Sequence, residues 1–415
     1  MSTFILNLNK MKKIVSSLLV VSSLFIASCS NDDDNSSSNN DDSSTTVEAP
    51  ETYVFSRDGE STVSFSGQTT RIAMAQEITD ALKDSDFTEA SINQMFTEGT
   101  GFADVTLDTE DKQVRSKVAA SEDYFSSNTV EATEIKEYFD AIITEQVNDV
   151  FPNFNSEASA GVAGGLVQES GDIRYINSQG VELNQLFAKG LIGGLMADQI
   201  LNNYLSVDVL DEGTNEADND AGILVDGETY TNMEHKWDEA YGYLYGAELD
   251  EALPVLEADS FLNNYLADVD ADTDFSGVAN DIFTAFKLGR AAIVAGDYDL
   301  RDEQAEIIRE KISLVVAVRG VFYLQDGKNK LETDKASAFH GLSEGLGFVY
   351  SLQFTRKANE VAPYFTKDQV DGFLSDLLDE GNGLWDDTTA VTLDEISEEI
   401  AGVLGFAVEE AAPSE

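Results

Sequence analysis

Apolar and polar residues alternate at the start of the folded body and then settle into a helical rhythm that persists to its end. From Thr52 to Phe65 the chain reads TYVFSRDGESTVSF, with Tyr53 and Phe55 before Asp58-Gly59 and Val63 and Phe65 after it. Alternation on both sides of an Asp-Gly pair predicts a β-hairpin. Thr69 or Thr70 can then cap a helix carrying Arg71-Ile72, Met74-Ala75 and Ile78 to Leu82. Beyond it, apolar residues recur every three to four positions, which predicts helices at about 88–96, 134–150, 178–205, 232–245, 278–295, 302–323, 336–354, 367–378 and 393–404. In the third of these, Leu183, Leu186, Phe187, Leu191, Leu195 and Ile200 keep helix spacing. Long helices joined by acidic loops predict a mainly α fold: a helical bundle, or two packed bundles, with a short N-terminal β-hairpin. The string Leu201-Asn202-Asn203-Tyr204-Leu205 returns as Leu262-Asn263-Asn264-Tyr265-Leu266, each time before an acidic loop. It fits two helical units that end in the same way.

The first 28 residues follow a different pattern. Lys10, Lys12 and Lys13 precede an apolar run from Ile14 to Ile26, and Ala27-Ser28 lead into Cys29. This is the layout of a secretory signal with cysteine at the cleavage point, and it predicts a lipoprotein signal peptide over 1–28. The run is short and diluted by serine, whereas a spanning helix needs about 20 apolar residues. Cys29 is the only cysteine in 415 residues, so no disulfide forms within one chain. Lipid on Cys29 would anchor the mature chain to a membrane. Residues 29–50 are rich in Ser, Asn and Asp, beginning Ser30-Asn31-Asp32-Asp33-Asp34, and are expected to form a disordered acidic tether. The folded domain is expected over 51–415.

Charge narrows the range of partners. The whole chain carries 78 acidic and 25 basic residues, a formal net charge of -53. A field of that sign repels nucleic acid and anionic lipid, and no basic stripe is present for either. With 42 % hydrophobic residues and only five prolines, the body has ample material for a large core. No later run is long and apolar enough to span a membrane.

Two histidines stand in the whole sequence, and each begins the same spacing: His235-Lys-Trp-Asp238-Glu239 and His340-Gly-Leu-Ser343-Glu344. Residues four apart share a helix face, so each imidazole and its carboxylate can converge on one metal ion. Acidic residues are so frequent here that both histidines would have one at the fourth position by chance roughly 4 % of the time. Nitrogen with carboxylate oxygen suits iron, zinc or manganese, and four ligands are available if the two helices face each other. A core histidine satisfied by a neighbouring carboxylate accounts for the same spacing. Asp268, Asp270, Asp272 and Asp274 alternate as in a calcium loop, but the expected glycine and final acid are missing. Gly161-Val-Ala-Gly164-Gly165 reads as a place of close helix packing. Neither a Gly-x-Ser-x-Gly elbow nor His-Glu-x-x-His occurs.

Four stretches together resemble a known family: Tyr53 to Arg71 with Ser66-Gly67-Gln68-Thr69, Lys189-Gly190-Leu191-Ile192-Gly193-Gly194-Leu195-Met196, Glu234 to Tyr243, and Phe339 to Gly345. They look like the Bacteroidota lipoprotein family catalogued as domain of unknown function 4856. The acidic residues after Cys29 resemble the surface-export signal of such lipoproteins. That resemblance implies the outer leaflet of the outer membrane, the alternative being a spacer facing the periplasm. A more distant likeness is to imelysin-like proteins, paired helical bundles linked to iron uptake and once described as peptidases. Their Gly-x-His-x-x-Glu motif is only partly met, because Met233 or Ala338 stands at the glycine position and Ser343 replaces one acid.

The expected function is therefore a surface-exposed outer-membrane lipoprotein. It would bind a metal ion, iron before zinc or calcium, or an iron-bearing ligand, through His235, Glu239, His340 and Glu344, with Asp238 as a further or supporting ligand. Its partners would be the membrane, through lipid, and an outer-membrane transport protein; nucleic acid is not among them. A metallopeptidase, with Glu239 or Asp238 as general base, and a structural or adhesion module without metal are the alternatives.

Overall fold

In the computed structural model, the described residues are 46–109, 111–247, 252–378, 381–386 and 389–413. The signal, Cys29 and most of the tether lie outside them. Residues from Val47 onward form one compact unit. Fourteen α-helices occur among the described residues: α1 Ser66–Ala81, α2 Glu89–Asn93, α3 Thr129–Glu145, α4 Leu183–Leu191, α5 Val207–Leu210, α6 Asn215–Asp220, α7 Asn232–Tyr245, α8 Leu262–Ala271, α9 Val278–Ala295, α10 Tyr298–Lys330, α11 Lys335–Ser351, α12 Lys367–Leu378, α13 Thr389–Leu404 and α14 Val408–Ala411. Two short antiparallel pairs accompany them, β1 Ser56–Arg57 with β2 Glu60–Ser61 and β3 Gly164–Val167 with β4 Ile173–Ile176. The fold is thus mainly helical with a small N-terminal hairpin, and its helices share one core. No described helix is long and apolar enough to cross a membrane.

The helix α10, 33 residues and so about 50 Å long, is the spine. It packs most extensively on α11, then on α9 and α13, while α11 packs in turn on α4. Small residues allow the closest of these approaches. A Cβ on Gly347 of α11 would lie 2.4 Å from the Cβ of Lys189 on α4, so the two backbones meet where only glycine fits. On the other flank, α7 packs on α9 and α1. Its start is fixed by a capping box, in which Thr231 accepts from the Glu234 backbone and Glu234 reaches back to the Thr231 N–H.

The sequence-based boundaries of α7, α9 and α12 coincide with the observed ones, and the structure departs from the expected elements elsewhere. The first hairpin is only two residues long on each side of the turn at Asp58-Gly59. The glycines at 164 and 165 lie in a second hairpin, not at a helix contact. The predicted helix at 178–205 begins at Leu183 and changes at Ile192 into a π-helical run ending at Tyr204. Such runs are rarely longer than one turn. Here outside donors take the displaced carbonyls: Ala119 N–H bonds Gly194 O at 2.8 Å, and Arg309 Nε bonds Leu201 O at 3.1 Å.

The two Leu-Asn-Asn-Tyr-Leu strings do not end equivalent units. The first lies at the end of the π-helical run, whereas Leu262 begins α8. Asp268 and Asp270 are therefore helical, not part of a calcium loop. Asp268 pairs with Arg319 at 3.2 Å, and Asp270 accepts the N–H groups of Gly277 and Ala279 at the start of α9.

Candidate functional site

The two histidine motifs lie on different helices, α7 and α11, and each has its own set of partners. No hydrogen-bond or ion-pair partner of His235 or Glu239 is shared with His340 or Glu344. Among the described residues, no three His, Cys, Asp or Glu side chains are gathered to hold one ion. Each histidine thus pairs with its own glutamate, and the expected four-ligand arrangement is not seen among the described residues.

What the structure shows instead is one arrangement built twice. On α7, His235 Nδ1 bonds the Ser64 carbonyl at 3.0 Å, and Nε2 lies 3.9 Å from Glu239 Oε2. On α11, His340 Nδ1 bonds Glu182 Oε2 at 2.6 Å, and Nε2 lies 3.9 Å from Glu344 Oε2. A carbonyl accepts only, as does an ionised carboxylate, so Nδ1 carries the hydrogen in both. Nε2 thus faces the glutamate with no direct hydrogen bond, since 3.9 Å is too long for one. A lysine sits on each glutamate, Lys236 on Glu239 at 2.9 Å and Lys189 on Glu344 at 3.2 Å.

A tyrosine completes each cluster, and both tyrosines come from the repeated string. Tyr204 meets Glu239, the two sharing the Gln68 amide as a donor, and its ring lies 5.7 Å below the Lys236 ammonium. Tyr265 donates to Glu344 Oε1 at 3.3 Å, and its ring lies 5.2 Å from the Lys189 ammonium. Burial raises both phenols well above the ordinary tyrosine value, with the glutamates adding to it, so each remains a donor. The repeat is thus a repeat of site chemistry, although its copies occupy different parts of their helices.

The clusters differ at the glutamate. Lys236 binds Oε2, the oxygen that faces His235, and Gln68 occupies Oε1. Lys189 and Tyr265 both bind Oε1 of Glu344, and Oε2 faces His340. Burial lowers the His235 pKa, with Glu239 opposing it, which favours a neutral ring. Burial would raise Glu239, but Lys236, His235 and Gln68 together hold it below the usual carboxylate value. Lys189 is pushed down by burial, partly offset by Glu344.

Asp238 belongs to a different structure. Its Oδ1 accepts from the Tyr53 hydroxyl at 2.6 Å and from Arg290 Nε at 3.0 Å, and its Oδ2 from the Ser64 N–H at 3.3 Å. Arg290 is fully buried and also binds Glu234 Oε1 at 3.0 Å and Thr62 at 3.1 Å. Arg57 closes the network on Glu234. These bonds tie the N-terminal hairpin to α7 and α9 and occupy the carboxylate that the sequence offered as a further ligand.

Sequence reasoning missed Glu182, Lys189 and Tyr265 as members of the His340 cluster. The repeated string was the signal for the tyrosines. The family described as a domain of unknown function (DUF4856) matches residues 50–407. The chain belongs to that family. The matched DUF4856 region includes every residue of both clusters. No curated protein and no solved structure matches the chain.

Proposed function

We propose that this DUF4856 protein is a lipid-anchored, surface-exposed outer-membrane binding protein. It holds a divalent transition-metal ion, iron foremost, or an iron-bearing ligand at His340 and Glu344. The observation that carries this reading is that His340 Nε2 and Glu344 Oε2 face each other at 3.9 Å, with no nearer partner between them among the described residues, while Nδ1 is taken up by Glu182. An ion bound by both at about 2.0–2.2 Å separates such atoms by roughly 3–4.2 Å, depending on the angle. Glu182 on Nδ1 supplies the carboxylate that commonly orients a metal-binding imidazole. The His340 side chain is 22 % exposed, so an ion has a way in and water can fill the remaining positions. Two protein ligands with several waters suit reversible capture. The anchor rests on the signal pattern and Cys29, and the outward orientation on the acidic residues that follow.

Metal analysis of the purified full chain tests the site. One retained equivalent of iron or zinc, lost in His340→Ala and Glu344→Gln but kept in His235→Ala, is expected. No retained metal, with no change in melting temperature on adding Fe²⁺ or Zn²⁺, overturns the reading. For the anchor, Cys29→Ser should release the protein from membranes, and protease added to intact cells should degrade the wild type.

A further inference from the structure

We infer that the His235–Glu239 pair is a second ion site of the same design, kept closed by Lys236, so that this one lysine sets how many ions the chain takes. The inference rests on reading His340–Glu344 as a metal site. The geometry of the ligand pair is the same in both clusters: Nε2 to the Oε2 of the glutamate four residues on is 3.9 Å, with Nδ1 pinned by an acceptor. The His235 ring is further fixed by stacking on Tyr230, with centroids 4.6 Å apart and planes within 17°. Nothing in the orientation of the imidazole prevents coordination.

The obstruction is the ammonium. Lys236 stands three residues before Glu239 on the same helix face, which delivers Nζ to Oε2 at 2.9 Å. Oε2 is the oxygen a shared ion would need, and the ammonium already supplies it with a cation. In the other cluster the lysine arrives from α4 and takes the far oxygen, leaving the near one for an ion. Lys117 is the other ammonium nearby; it bonds the Tyr204 hydroxyl at 3.5 Å and acts on Glu239 through its charge, from further away than Lys236. The Lys236 side chain is 25 % exposed, so its loss leaves a space that water and ions can reach.

The test counts Zn²⁺, a redox-silent probe, bound per full-length chain after equilibration and desalting. Four proteins are compared: wild type, Lys236→Met, Lys236→Arg, and Lys236→Met with His235→Ala. Thermal melts confirm folding, and Lys236→Gln substitutes if Lys236→Met does not fold. One equivalent in the wild type and in Lys236→Arg, two in Lys236→Met and one again in the double variant are expected. A count in Lys236→Met no higher than in the wild type overturns the inference, and so does a wild type that already fills both sites. A wild type with no zinc and Lys236→Met with one equivalent would overturn the His340 reading and with it the count of two, leaving Lys236 as the gate on a single site at His235.

Discussion

The two histidine clusters use the same four residue types and differ in the origin of the lysine. Around His235 the lysine is local, three residues before its glutamate, and the helix itself brings it onto the oxygen facing the imidazole. Around His340 the lysine comes from α4, through a contact that depends on Gly347, and it approaches the glutamate from the other side. The lysine from the same helix covers the glutamate oxygen that faces the imidazole; the lysine from the neighbouring helix takes the other oxygen. The surroundings reinforce the difference. The α7 cluster adjoins a fully buried charge network that binds the N-terminal hairpin to α7 and α9, whereas the arginine beside the α11 cluster, Arg319, packs on Tyr265 and pairs with the partly exposed Asp268.

The largest effect should come from removing Arg290. Arg290→Met leaves Asp238 and Glu234 buried without their shared cation, a change that typically costs about 3–5 kcal/mol. Denaturant unfolding should show that loss or a failure to fold. A loss under 1 kcal/mol would mean that Asp238 is not committed to scaffolding and is free to act as a ligand, which would erase the contrast between the clusters.

Next in size is Gly347→Ala, which presses a methyl group against Lys189 Cβ at 2.4 Å and against the backbone of Gly190 and Leu186 at 3.1 Å. Overpacking of this kind costs about 1–3 kcal/mol. Because it separates α4 from α11, it should also weaken zinc binding at His340 without changing Lys236→Met binding at His235. Glu182→Gln should be gentler: the imidazole loses its anionic partner and Arg174 loses a carboxylate 3.9 Å away. Zinc affinity should fall roughly tenfold or more, the usual result of losing a carboxylate behind a metal-bound histidine. Equal affinity in Glu182→Gln and wild type would show that Glu182 serves the fold and not the ion.

The features legible in the sequence were those set by local spacing. The starts and ends of α7, α9 and α12 follow from periodicity, and the pairing of each histidine with its glutamate follows from four-residue spacing. The second hairpin was not legible, because β3 is four residues long and begins Gly-Gly, with little alternation to read. The helix α8 was hidden by its two asparagines and the acidic run that follows, residues that favour turns when read alone. The rest of the His340 site was out of reach of local pattern. Glu182 is 158 residues from His340, and Tyr265 is 79 residues from Glu344, so only the tertiary fold brings them together. The same distance explains why the closed and open clusters look alike in sequence: the lysine that distinguishes them is adjacent in one and remote in the other.

The smallest effect concerns the proton on His235, and it separates a lysine-closed site from a proton-closed one. Burial lowers the His235 pKa, with Glu239 opposing that effect, while the unfolded chain titrates near 6.5. The folded state therefore binds this proton less readily than the unfolded state does. Its contribution to stability is complete above about pH 6.5 and is lost as the pH falls from there towards the folded value. His235→Asn keeps a donor for the Ser64 carbonyl and removes the titration. The variant should therefore lose less stability relative to wild type at pH 5.5 than at pH 7.5, read from urea midpoints at both. Comparing the two proteins cancels the other groups that titrate in this range, such as buried Asp198, which is pushed up to about 6. If the deficit of the variant instead grows towards pH 5.5, Glu239 holds an imidazolium. The pair would then be closed by a proton as well as by Lys236, and removing the lysine alone would not open it.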